Sequence, residues 1–424
     1  MNHAMPLPDP AAADDLSALA WVHAELRRSL DTAHKSLRRY LKESEAAAGS
    51  DVADVDPAVL RSARSHLHQG VGALELVGLP AVADVLRAAE AAVQRMTARP
   101  AIVDAAAVAT VERVSFALLD FLGRQLAGKP VSPLMLFPQY RAAQQLAGAD
   151  RIHPADLWKI DWQWRELPPD ASAQPRSADD AARGAMETLV LALMRGPGRS
   201  ALAHMSDFCA DLAAGARQGG AAGQTRGAGS PRLVTFWQLA AAVFEAQASG
   251  LLAGDVYTKR LASRLLAQLR MSVRGQAELS DRLAQDLLFF CSHARPPQAA
   301  HRAPRLAAVR QAWRLEDRPT ADYDTPRLGR FDPALVSQAR KRVAAAKASW
   351  SAMTGGELQV SASLTEQFAL VGDSLQKLFP AGDVLAQALA TTAAQTAAAG
   401  AGDGGRHRHA LPRRLAGGWR VRPP

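Results

Sequence analysis

The sequence of 424 residues has few of the sequence features that are typical of secreted, zinc-binding or membrane proteins. Its two cysteines, Cys209 and Cys291, lie in apolar stretches without disulfide or metal-ligand spacing, which predicts reduced core thiols in a cytoplasmic protein. A zinc site formed with His204 and His293 is the alternative, although no ligand spacing supports it. No signal peptide opens the chain, and no run approaches the ~20 apolar residues of a membrane span.

Motifs for enzymatic chemistry are missing as well. The chain has no glycine-rich phosphate loop, no acidic receiver pocket, and no nucleophile, base and oxyanion arrangement. We therefore expect a protein that is not an enzyme, with no catalytic residues, no cofactor and no metal. An enzyme with its own active site ranks last among the alternatives.

Aromatic residues are scarce, at 5% of the chain, whereas hydrophobic residues together make up 48%. The difference is mostly alanine and leucine, which favour helix over strand, so we predict an all-α fold. The net charge is +9, and six arginines against one acid give residues 401–424 a charge of +5, which leaves +4 for the rest. No basic stripe with interleaved aromatics is present, so we expect no nucleic-acid partner.

Helical periodicity, prolines and composition divide the chain into regions. We predict tandem helical bundles: a disordered N-terminus (1–15), a four-helix bundle (16–128), a linker rich in proline and aromatics (129–176), a second bundle (177–316), the start of a third helical module (317–400) and a disordered basic tail (401–424). The tail contains arginine, glycine, proline and histidine but no lysine. This composition suggests an out-of-frame reading after about residue 400; a genuine basic tail is the alternative.

The linker contains prolines that exclude long helices, together with five large aromatic side chains. These are Phe137, Tyr140, Trp158, Trp162 and Trp164. We expect this segment to pack along the bundles. An aromatic box for a sugar or cofactor is the alternative.

One stretch, residues 60–79, organises the first bundle. Its apolar residues recur every three or four positions and form a single stripe: Leu60, Ala63, Leu67, Val71 and Leu74. His68 lies beside this stripe, and Gly72, one turn later, cannot cover its ring, so the imidazole should be accessible. Gly70 and Gly72 suggest that something approaches the helix closely. A half-exposed histidine on an ordinary bundle helix, with glycines that permit helix packing, is the simpler interpretation.

The stretch from His68 to Leu79 resembles the phosphoacceptor helix of histidine phosphotransfer (Hpt) domains, which are four-helix bundles that dock receiver domains. The family motif is His-x-x-Lys-Gly with a Leu-Gly-Leu-like ending, so His68 matches the phosphoacceptor and Gly72 the motif glycine. Val71 replaces the lysine; Arg64, one turn before His68 on the same face, is a candidate substitute, although it lies on the opposite side of the ring from the motif lysine. The resemblance implies a phosphoacceptor at His68 with docking residues Arg64, Val71, Gly72 and Glu75, or an inactive module kept for docking. His66 is a weaker alternative for the phosphoacceptor, since the Leu-Gly-Leu-like ending of the motif would then lie at the wrong distance.

Over residues 16–400 the chain resembles the N-terminal region of CheA-like hybrid sensor histidine kinase/response regulators of type IV pilus (twitching motility) chemosensory systems. The resemblance is carried by Leu-Ala-Trp-Val (19–22), Leu-His-Gln-Gly-Val-Gly-Ala-Leu-Glu-Leu-Val-Gly-Leu (67–79), Leu-Phe-Pro-Gln-Tyr-Arg (136–141) and Arg-Leu-Ala-Gln-Asp-Leu-Leu-Phe-Phe-Cys (282–291). It implies a non-catalytic phosphotransfer and docking region of a phosphorelay, whose kinase domain is not in this chain. The implied partners are a receiver domain or a kinase domain, with pilus-localising proteins as further candidates. The alternative is a helical scaffold that localises a signalling partner without phosphotransfer.

Overall fold

The structure, a computed structural model, describes residues 10–47, 56–129, 131–221, 230–276, 278–297, 299, 302–315, 321–354, 361–379 and 382–402. Over these residues it contains fourteen α-helices and no β-strand, which confirms the all-α prediction. Internal contacts divide the chain into two compact units, Met1–Leu328 and Gly329–Pro424. The finer domain boundaries proposed from the sequence stay predictions.

The first four helices form a bundle within the first unit. They are α1 (Pro10–Ala47), α2 (Ala58–Leu76), α3 (Pro80–Ala98) and α4 (Ala105–Leu126). Each helix packs on the next, and α4 packs on α1, which closes the ring. The stripe predicted for α2 is buried throughout, from Leu60 to Leu74. Asp104 caps α4, because its carboxylate accepts a hydrogen bond from the Ala107 amide at 2.7 Å.

The segment after α4 contains one short helix, α5 (Phe137–Ala147), which packs on α3 and α4. The tryptophans of this segment lie against the core, as the sequence predicted, and Trp162 stacks on Trp313 with ring centroids 6.2 Å apart. The Trp164 indole donates to Asp281 at 3.0 Å, and the Trp313 indole donates to the Gln163 carbonyl at 3.2 Å. These aromatics therefore tie the segment to the helices that follow, and one hydrophobic core runs through the first unit.

Six further helices complete the first unit. They are α6 (Asp180–Arg195), α7 (Arg199–Ala221), α8 (Pro231–Ala248), α9 (Val256–Val273), α10 (Asp281–His293) and α11 (Pro304–Ala312). Helix α8 packs on α7, α10 and α11, and α6 packs on α9. Asp179 caps α6, because its carboxylate accepts from the Ala182 amide at 2.8 Å. Most of the glycine- and alanine-rich stretch 218–230, whose composition favours a loop, lies outside the described residues.

The second unit contains α12 (Pro333–Thr354), α13 (Ser361–Leu378) and α14 (Asp383–Gly402). Its small core is formed by Ala346, Leu364, Phe368, Val371 and Ala393, with Trp350 packed against it. Almost all of the predicted basic tail, from residue 403 onward, lies outside the described residues. Most of the predicted N-terminal region, residues 1–9, does so too. None of the helices that the structure describes is long and apolar enough to cross a bilayer.

Candidate functional site

His68 is presented on the outer face of α2. Its side chain is 73% exposed, whereas its neighbour Leu67 is fully buried in the bundle core. This follows from the helical period, because a stripe through Leu60, Leu67 and Leu74 leaves a residue one step further round at the surface. Val71 is only 4% exposed and is part of the core. The position that carries lysine in the Hpt motif therefore adds neither charge nor surface next to His68.

A carboxylate on α3 holds the His68 ring. Glu90 is buried, with an 11% exposed side chain, and its two carboxylate oxygens lie 3.2 and 3.3 Å from His68 Nδ1. Arg64 Nε donates to the same carboxylate at 3.4 Å. When Nδ1–H donates to Glu90, the lone pair of Nε2 remains unprotonated on the exposed ring. The arrangement fixes the orientation of the imidazole through Nδ1.

The two glycines beside His68 have different surroundings. A Cβ atom at Gly70 would lie 2.6 Å from Leu26 Cδ1 and 2.8 Å from Leu86 Cδ2, so Gly70 lets α2 approach α1 and α3. A Cβ atom at Gly72 would have no heavy atom within 4 Å. Gly70 thus fits the helix-packing interpretation, whereas Gly72 leaves open space beside the imidazole.

Paired charges and one apolar side chain extend this face toward the end of α2. Glu75 forms an ion pair with Arg87 of α3, and Arg87 also contacts Asp84. Lys159 reaches Asp84 at 2.5 Å. Leu76 is 90% exposed. We call the surface formed by Arg64, His68, Gly72, Glu75 and Leu76 the His68 face.

His66 lies on a different side of the helix. Its backbone carbonyl accepts a hydrogen bond from the Ser29 hydroxyl of α1 at 2.9 Å, and its side chain is half-buried. His66 therefore lies toward α1, whereas His68 lies toward α3. Only His68 has a carboxylate partner on α3 in the described contacts.

The residues of the alternative zinc site do not assemble. Cys209 and Cys291 are buried free thiols, and burial raises the pKa of both. Within the described ranges, no three His, Cys, Asp or Glu side chains are grouped so as to hold a metal ion. His204 and His293 thus form no metal centre with these thiols there.

Glu90 is the site residue that sequence reasoning missed. It lies 22 residues after His68 on another helix, so no local pattern joins the two. One signal was available: Glu90 is a charged residue in the buried stripe of α3, between Ala89 and Val93. A buried carboxylate requires a partner, which is a reason to search for a cation or an imidazole nearby.

Fold and site together define an all-α protein with an exposed, carboxylate-held histidine on a four-helix bundle. Residues 171–325, somewhat more than a third of the chain, match the family model of the FimL scaffold protein second domain. This match supports a type IV pilus chemosensory scaffold and does not extend to the kinase that the sequence resemblance implied. No curated protein and no solved structure matches the chain.

Proposed function

We propose that this chain is a helical scaffold that brings together signalling proteins of a type IV pilus chemosensory system. The observation that carries the proposal is the match of residues 171–325 to a scaffold domain. The proposed partners are a receiver domain or a kinase domain, with pilus-localising proteins as further candidates. The proposal includes a cytoplasmic location and no catalytic residues, because a scaffold acts by binding.

The His68 face is the surface that we assign to docking the receiver or kinase domain. Its charges are largely paired within the bundle, through Arg64 with Glu90 and Glu75 with Arg87. Paired surface charges contribute little to affinity, so the apolar Leu76 should supply the main contact. Burying a leucine side chain is worth about 1.5 to 3 kcal/mol, or a tenfold to hundredfold change in affinity.

The docking proposal is tested by substituting Leu76. We expect Leu76→Asp to weaken binding of the cognate receiver domain at least tenfold in isothermal titration calorimetry, because a buried carboxylate would replace the apolar contact. Leu191→Asp is the matched control, since Leu191 is also an exposed leucine on a helix, at 59%. Equal loss in both variants, or in neither, would contradict docking at this face. If the chain acts only as a scaffold, the His68→Ala variant should still bind its partner.

Phosphotransfer at His68 is the second candidate function, and the contact of Glu90 with Nδ1 favours it. In this mechanism the free Nε2 lone pair attacks the phosphorus of a phosphoryl donor, and the bond from phosphorus to the donor oxygen breaks. Glu90 would stabilise the positive charge that develops on the ring. Arg64, one turn before His68 on α2, would supply positive charge in place of the motif lysine.

Labelling with a phosphorylated receiver or an active kinase separates the two candidates. Transfer predicts an acid-labile label on the wild type that is lost in His68→Gln and retained in His66→Gln. Glu90→Gln should reduce the rate, because the neutral amide stabilises the charged ring less well. An unlabelled wild type would remove the acceptor role and leave the scaffold function intact.

A further inference from the structure

A separate cavity lies within the first unit, between α9 and the turn that follows α5. Its volume is about 290 Å³. Three arginines line it, together with an aromatic hydroxyl, an imidazole and one acid: Arg151, Arg260, Arg264, Tyr257, His153 and Asp150. The cavity is distinct from the His68 face and includes none of its residues.

A buried carboxylate behind the cavity fixes two of these arginines. Asp286 of α10 is 0% exposed and accepts from Arg151 at 2.8 and 3.1 Å and from Arg264 at 2.5 Å. Each guanidinium has five N–H groups, so both retain donors after binding Asp286. Their positions are set before any ligand arrives, which lowers the entropic cost of binding.

Positive charge exceeds negative charge around this cluster. Asp286 and Asp156 also contact Arg282, so these two carboxylates serve Arg151, Arg264 and Arg282. Arg260 is exposed and has no hydrogen bond or ion pair with any described residue. Asp150 at the rim is the one further acid that lines the cavity. Four guanidiniums thus face three carboxylates, and Arg260 is uncommitted.

His153 belongs to the cavity wall, but its ring packs against the core rather than offering a donor to the cavity. Its Nδ1 accepts a hydrogen bond from the Ala155 amide at 3.1 Å, which assigns the ring proton to Nε2. Burial lowers the pKa of His153 to about 4, so the ring is neutral near pH 7. His153 is buried, and its Nε2 has neither a hydrogen-bond partner among the described residues nor appreciable accessible surface, so a ligand in the cavity would not reach it.

We propose that this cavity is a binding site for a phosphate monoester, held by Arg151, Arg260 and Arg264. Donors converge from three guanidiniums, which suits the terminal oxygens of a phosphate better than the two oxygens of a carboxylate. The phosphate belongs either to a small metabolite or to a phosphorylated side chain of a partner protein. The site is independent of docking and phosphotransfer at His68.

Inorganic phosphate is the first probe, titrated into the full chain at constant ionic strength. We expect saturable binding by calorimetry and a rise in the thermal unfolding midpoint, neither of which chloride should produce. Arg260→Ala should weaken phosphate binding at least tenfold and leave the fold intact, because Arg260 makes no described contact. Lys259→Ala is the matched control, since Lys259 is the exposed cation next to Arg260 and does not line the cavity.

Two further measurements sharpen the test. Asp150→Asn should tighten phosphate binding, because it removes a like charge from the rim. Tighter binding of a phosphoserine peptide than of free phosphoserine would assign the ligand to a partner protein, whereas equal binding would assign a small phosphate ester. Equal weakening by Arg260→Ala and Lys259→Ala would reveal only nonspecific charge attraction and overturn the proposal. Absence of saturable phosphate binding would overturn it as well.

Discussion

The two glycines that follow His68, Gly70 and Gly72, should change stability in opposite directions when each is replaced by alanine. Gly72→Ala should raise the free energy of unfolding by about 1 kcal/mol, because alanine is the better helix former and its Cβ meets open space. Gly70→Ala should lower it by about 1 kcal/mol, since overpacking against Leu26 and Leu86 outweighs the same propensity gain. Urea unfolding of the two variants measures both changes. A shift of the same sign in both would contradict the packing at Gly70.

His153 should make the free energy of unfolding sensitive to acid. Its folded pKa of about 4 is below the usual 6.5, so between these values the unfolded chain binds a proton that the folded chain does not. The free energy of unfolding should therefore fall as the pH falls through this window, by about 3 kcal/mol in total. The matched variant is His153→Asn, because an amide oxygen can still accept from the Ala155 amide but does not titrate.

The measurement is the unfolding free energy of wild type and His153→Asn from pH 7 to pH 4. The wild type should lose about 3 kcal/mol relative to the variant as the pH falls. Parallel curves would mean that His153 keeps an ordinary pKa in the folded chain. Other groups that titrate in this range cancel in the difference between the two proteins.

The local sequence predicts where helices begin, but it does not predict which charged side chains pair between distant helices. Asp104 and Asp179 each cap a helix within three residues of their partner amide, so both starts could be predicted from the sequence. The helix around His68 was also predictable, because its stripe repeats with the helical period. The carboxylates of Glu90 and Asp286 were not, because Asp286 meets Arg151 across 135 residues of chain. Only the tertiary fold brings such pairs together.

The extended segment before α6 depends on a glycine in α7. A Cβ atom at Gly215 would lie 1.9 Å from the Arg176 carbonyl oxygen, which is backbone and cannot rotate away. The Arg176 amide donates to the Asp211 carbonyl at 3.0 Å, and the Gln174 amide donates to the Asp211 carboxylate at 2.8 Å. Gly215→Ala should displace this segment and lower stability by about 2 kcal/mol, roughly 1 kcal/mol for each hydrogen bond.

Limited trypsin digestion tests the displacement directly. Gly215→Ala should be cleaved faster after Arg176 than the wild type, with the site mapped by mass spectrometry. Gly184→Ala is the control, because Gly184 is also helical and a Cβ there would meet no heavy atom within 4 Å. Unchanged cleavage in Gly215→Ala would show that α7 and the segment adapt without separating.

The whole molecule should unfold in two steps because its two units have cores of very different size. The second unit buries only five hydrophobic residues in its cluster, whereas the core of the first unit runs through all eleven of its helices and the segment between them. Since hydrophobic stabilisation scales with buried apolar area, the second unit should unfold at lower urea concentration. Far-UV circular dichroism should then show a first loss of helix followed by a larger one.

Tryptophan fluorescence identifies which unit unfolds first. Trp350 stacks on Phe368 with ring centroids 5.9 Å apart in the core of the second unit, so its emission should change in the first step. Trp350→Phe should remove that fluorescence change, whereas Trp21→Phe, at an exposed position of the first unit, should retain it. A chain ending at Leu328 should keep only the second step, at an unchanged urea midpoint. A single transition with coincident fluorescence and circular dichroism would instead mean that the two units fold cooperatively, since separate cores without energetic coupling must unfold at their own midpoints.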